Sequence, residues 1–79
     1  METVERVIYR VVPGEPSGWD VMQENSGQVF GNHRSRTEAI LQGVDLARSH
    51  SYSLLVVHGR DGKAEKQYNY GRKPRFEQV

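Results

Sequence analysis

The stretch Leu54-Leu55-Val56-Val57-His58-Gly59-Arg60-Asp61-Gly62-Lys63 constrains the fold more than any other part of this chain. An unbroken apolar run leads straight into Asp61-Gly62, a dipeptide that favours a two-residue type I′ hairpin, in which both central positions need positive φ. A strand that is apolar on both faces belongs inside a sheet rather than at its edge. The segment therefore predicts an interior strand, a tight turn and a returning strand. It carries little chemistry of its own.

The other elements follow from period and punctuation. Val4 to Val12 reads as a first strand, with Val7, Tyr9 and Val11 alternating against Arg6, Ile8 and Arg10. Pro13-Gly14-Glu15-Pro16-Ser17-Gly18 is dense in turn formers and closes it. Trp19 to Glu24 is the second strand, Asn25-Ser26-Gly27 a turn, and Gln28-Val29-Phe30 a short third strand. Tight turns between the three imply an antiparallel meander. Ser35-Arg36-Thr37-Glu38 then fits a capping box, in which the Ser35 hydroxyl accepts from the Glu38 amide and the Glu38 carboxylate reaches back. Ala39, Ile40, Gly43, Val44, Leu46 and Ala47 follow at helical spacing, and Leu41 lies off that face. Gly43 costs a helix about 1 kcal/mol relative to alanine, which close approach of helix to sheet would offset. Ala64 to Tyr70 is the last strand. The order is β-β-β-α-β-β, an α+β domain with one helix packed on a mostly antiparallel sheet. Residues 1–71 are expected to form that domain and 72–79 an irregular basic tail.

Composition narrows the function classes. At 79 residues the chain is near the lower limit for a single self-sufficient core, so dimerisation would relieve a shortage of buried surface. It has no cysteine, which excludes disulfides and thiolate zinc sites and suits a reducing compartment. Net charge is +1, from 11 basic and 10 acidic side chains, a balance that argues against strong sequence-independent nucleic-acid binding. Met1-Glu2-Thr3-Val4-Glu5-Arg6 lacks the charged lead and apolar core of a signal peptide, and no apolar run approaches the roughly 20 residues that span a bilayer. The expectation is a soluble, cytoplasmic protein with no membrane association.

Three motifs carry a resemblance to a known family. They are Val11-Val12-Pro13 followed by Gly18-Trp19-Asp20-Val21; Thr37-Glu38-Ala39-Ile40 leading to Leu46-Ala47-Arg48; and the Leu54–Lys63 string with Tyr70-Gly71 soon after. The chain resembles the small bacterial proteins grouped as domain of unknown function 2188, from Tyr9 to about Phe76. Gly31-Asn32-His33-Arg34 departs from the pattern as a longer link into the helix. The resemblance implies a fold and a bacterial or phage origin. It brings no established activity and so no catalytic residues.

The residues themselves point to binding rather than catalysis. There is no thiol, no serine with a histidine and an acid in view, and no paired-carboxylate pattern, so no enzyme is expected. His33, His50 and His58 lack ligand spacing, and no stretch forms a phosphate loop, so no metal, cofactor or small-molecule ligand is expected. His58 reads as a partly buried structural histidine, and Trp19 as a core residue. Arg60 and Lys63 are expected to face each other across the hairpin mouth, an opposition of like charges that hints at an anionic partner. Lys63, Lys66, Arg72, Lys73 and Arg75, set against one acid, Glu65, interleave with Tyr68, Tyr70 and Phe76 as a single-stranded nucleic acid would require. The leading expectation is a non-enzymatic binding protein that contacts another protein or itself. One helix covers one face of a sheet, so Ile8 and Val12, with Leu55 or Leu54 by parity and with Val57, would form an apolar partner surface on the other. The alternative is a nucleic-acid-binding module using Arg60, Lys63, Lys66, Tyr70, Arg72, Lys73 and Arg75.

Overall fold

Period-2 alternation and turn chemistry produce five strands and one helix in a computed structural model that describes residues 6–71. In chain order these are β1 (Val7–Pro13), β2 (Trp19–Gln23), β3 (Val29–His33), α1 (Arg36–Arg48), β4 (Tyr52–His58) and β5 (Ala64–Gly71). The β-β-β-α-β-β order and the α+β class are as the sequence implies. The sheet runs β3-β2-β1-β4-β5. Its β1–β2, β2–β3 and β4–β5 pairings are antiparallel, and β1–β4 is parallel, because the chain returns through the helix. The apolar strand is thus interior, flanked by β1 and β5.

Two local expectations are corrected. The third strand is longer than Gln28–Phe30, since Gly31, Asn32 and His33 pair with Val21, Asp20 and Trp19. These are poor strand formers, and tertiary bonds hold them in line. The Asn32 amide donates to Asp20 Oδ1 at 2.7 Å, and His33 Nε2 lies 2.7 Å from Gln42 Oε1 on the helix. The β4–β5 hairpin is not a type I′ turn. Among the described residues only glycines have positive φ, so Gly62 (φ 86°) takes the left-handed position and Asp61 does not. The Gly62 N–H donates to the Gly59 carbonyl and the Gly59 N–H to that of Lys63, both at 2.9 Å. The loop is therefore Arg60-Asp61-Gly62, a three-residue turn ending in a left-handed glycine. The register then slips, leaving Glu65 as an extra residue between Ala64, opposite His58, and Lys66, opposite Val57.

The helix begins as its capping pattern requires, with the Ser35 hydroxyl accepting from the Glu38 N–H at 3.1 Å. Its inner line is Ala39, Gly43 and Ala47, all buried, and Leu41 faces outward at 61% exposure. Small residues let the helix lie close on the sheet. Beneath it sit Tyr9, Val11, Trp19, Val21, Leu55 and Val57. Ser53, the buried polar residue of β4, donates to the Ala47 carbonyl at 2.5 Å and fastens the helix end to that interior strand.

A Cβ on Gly43 would stand 2.8 Å from Leu55 Cδ1, and Leu55 is fully buried. Gly43→Ala is expected to cost about 1–3 kcal/mol despite the better helix propensity of alanine. Urea unfolding checks this: Leu55→Val should recover part of the loss in the double variant, and independent, additive effects would refute the close contact.

Candidate functional site

Three clusters bring polar side chains onto or against the apolar core. The first lies on the side of the sheet opposite the helix. Alternation along β1 and β4 puts Ile8, Arg10, Val12, Leu54, Val56 and His58 there, and Met22 joins them opposite Arg10. Arg10 is the hub. Its Nε donates to Glu24 Oε1 at 2.7 Å, and its Nη1 lies 2.9 Å from His58 Nε2. Arginine only donates, so His58 Nε2 is the acceptor and its proton sits on Nδ1. That Nδ1–H then donates to the Gly62 carbonyl at 2.8 Å. His58 thus joins the sheet to the hairpin turn. The Arg10–Glu24 pair is a third or more exposed on each side, so it orders the surface more than it stabilises the fold.

The partner surface expected from the sequence is only partly assembled. Ile8 and Val12 lie on this uncovered side and are half-buried. Leu55 and Val57 do not: they are fully buried under the helix. Parity places Leu54 and Val56 on the uncovered side instead. Leu54 stands between Ile8 and Asn69, and Val56 between Arg10 and Gln67. Both are themselves buried, at 6% and 3% exposure, so the apolar surface that remains comes from β1, β2 and β3. Val29, opposite Met22, is its most open member at 53%.

The second cluster caps one end of the sheet. Trp19 is buried, with the Arg36 guanidinium 5.7 Å and the Arg60 guanidinium 4.9 Å from its ring centroid. Arg36 also pairs with Glu65 at 2.6 Å. Glu65 is the extra residue of the β5 bulge, and its carboxylate lies against Gly59, where a Cβ would clash. Arg60 therefore does not face Lys63. The three-residue loop sets Gly59 opposite Lys63 and turns Arg60 onto Trp19, so the expected pair of opposed cations does not form.

On β5, Lys66, Tyr68 and Tyr70 share the helix side of the sheet, opposite Val57, Leu55 and Ser53. The two tyrosines are half-buried against the core, whereas Lys63 and Lys66 are exposed. Arg72, Lys73 and Arg75 lie outside the described residues. Among the described residues there is no pocket and no group of three or more metal-ligating side chains.

Residues 9–70 match the family described as uncharacterized proteins conserved in bacteria, domain of unknown function 2188. The chain belongs to this family. The matched span of the DUF2188 domain starts within β1 and ends within β5, so it includes Arg10, Glu24, His58, Trp19, Arg36, Arg60 and Glu65 and leaves out Ile8. Comparisons with curated proteins and with solved structures gave no match.

The third cluster, which sequence reasoning missed, is internal to the DUF2188 fold. Tyr9 is buried edge-on to Phe30, with ring centroids 5.8 Å apart, and its hydroxyl shares a 2.9 Å hydrogen bond with His50 Nε2. No local signal links residues 41 positions apart. Burial raises the Tyr9 phenol above its ordinary value of 10.0. The unfolded chain ionises first, so this contribution to stability is complete below about pH 10 and is lost as pH rises through the raised value. Tyr9→Phe should cost about 1 kcal/mol at neutral pH through the lost bond. It should also flatten the alkaline decline in urea midpoint above about pH 10. An unchanged alkaline slope would show that Tyr9 does not contribute to it.

Proposed function

We propose that this DUF2188 chain is a non-enzymatic, cytoplasmic binding protein that works through protein–protein contact on the uncovered side of its sheet. One observation carries the reading. The helix covers one side, and Ile8, Val12, Met22 and Val29 stay partly exposed on the other, around the ordered Arg10–Glu24–His58 network. Apolar side chains among fixed polar groups of both signs match the make-up of a protein-binding surface. The assignment away from catalysis is supported by how the polar groups are used. His33, His50 and His58 each bond a structural partner, and Arg36 holds Glu65.

A photo-reactive residue at Val12 or Val29 in bacterial cells is expected to give discrete protein adducts that the same residue at exposed Leu41 does not. Equal yields at all three positions, or none at any, would overturn the reading.

A second reading, nucleic-acid binding, is favoured by the strip Lys66, Tyr68 and Tyr70 on one side of β5. Stacking of Arg60 on Trp19 removes one cation from the expected set, and the near-neutral charge weighs against it. Under this reading, labelled single-stranded oligonucleotides bind with a steep salt dependence between roughly 50 and 200 mM, lost in Lys66→Ala/Tyr70→Ala. Absence of binding at the lower salt removes it.

A further inference from the structure

We propose that two copies of this chain pair antiparallel along β5, about a twofold axis at Tyr68, to form one continuous sheet. This goes beyond the binding reading above and uses a different surface. A strand at the edge of a sheet presents a row of unpaired main-chain groups, and proteins block such edges with short strands, bulges, charged side chains and covering segments. The two edges of this sheet differ in that respect. β3 has five residues, its register with β2 shifts at Val21/Met22, and its Asn32 and His33 side chains are tied to Asp20 and Gln42. β5 has eight residues, and its irregularity is confined to the turn end. From Lys66 to Gly71 it keeps an unbroken register with β4, and among the described residues no strand pairs with its outer side.

The sequence of that edge complements itself. With the twofold at Tyr68, Lys66 of one copy lies opposite Tyr70 of the other, Gln67 opposite Asn69, and Tyr68 opposite its equivalent. Lys66, Tyr68 and Tyr70 share one side of the strand, so that side gains a tyrosine pair flanked by two cation–aromatic pairs. The other side gains two amide pairs. The registers centred on Lys66 and Gln67 are worse. A twofold at Lys66 opposes the two lysines, and one at Gln67 recruits the bulged Glu65, which Arg36 already holds. Antiparallel edges are related by an axis normal to the sheet. Both helices would therefore stand on one side, and the two uncovered faces would merge on the other.

Gln67 and Asn69 are exposed, which makes a charge-pattern test possible without disturbing the core. Sedimentation equilibrium should show wild type as a dimer at tens of micromolar. Gln67→Arg/Asn69→Arg, which opposes like charges twice, should weaken the dimer by about tenfold or more. Gln67→Arg/Asn69→Glu, which opposes unlike charges twice, should retain it. The chain has no cysteine, so Tyr68→Cys supplies a single thiol that should form an intermolecular disulfide under mild oxidation faster than Leu41→Cys. A wild type that stays monomeric overturns the proposal, as does dimerisation indifferent to the charge pattern or equal cross-linking from Leu41→Cys. Adducts at Val12 from a protein shown to be monomeric would refute this inference alone and leave the binding reading intact.

Discussion

The contact of Gly43 with Leu55 governs the molecule. A glycine flanked along the helix by Ala39 and Ala47 lets the backbone of α1 lie directly on the Leu55 side chain of β4. That closeness lets a single helix of 13 residues bury Tyr9, Val11, Trp19, Val21, Leu55 and Val57. Ser53 and Ser35 fix its two ends, one onto β4 and one through its own cap. The small inner face also limits what the helix can shield, and the reverse of the sheet must satisfy itself by other means.

It does so with a mixture of apolar and charged groups. Leu54 and Val56 are buried between the side chains of β1 and β5 even though no helix lies over them. Arg10 crosses the middle of this face and is held from both directions, by Glu24 and by His58. Salt-bridged side chains with long aliphatic stems can cover apolar neighbours while keeping their charge in water. The result is a surface of mixed apolar and charged character.

Legibility in the sequence followed the range of the interaction. The helix cap, the off-face Leu41, the interior position of Leu54–Val57 and the three-strand meander all rest on residues a few positions apart, and each was readable from spacing. The full length of the third strand is not legible locally, because Gly31 and Asn32 disfavour strands and the bonds of Asn32 to Asp20 and of His33 to Gln42 are tertiary. Asp61-Gly62 marked the turn, but its type depended on the Gly59–Lys63 bonding and on the Glu65 bulge. Spacing does not assign Leu55 and Val57 to a side, because a strand apolar on both faces carries no parity signal to say which face meets the helix.

What the sequence determined alone was the set of elements, their order and the α+β class, since periodicity, caps and turn residues act within a few residues of one another. The family resemblance was legible too, in the string that ends at Lys63. Tertiary structure decided which side of β4 faces the helix, that β1 and β4 run parallel, and that Arg60 leaves Lys63 for Trp19. It also joined Tyr9 to His50 and Arg10 to His58, pairs separated by 41 and 48 positions. Such contacts exist only once the sheet has assembled, because no local preference of either partner encodes the other.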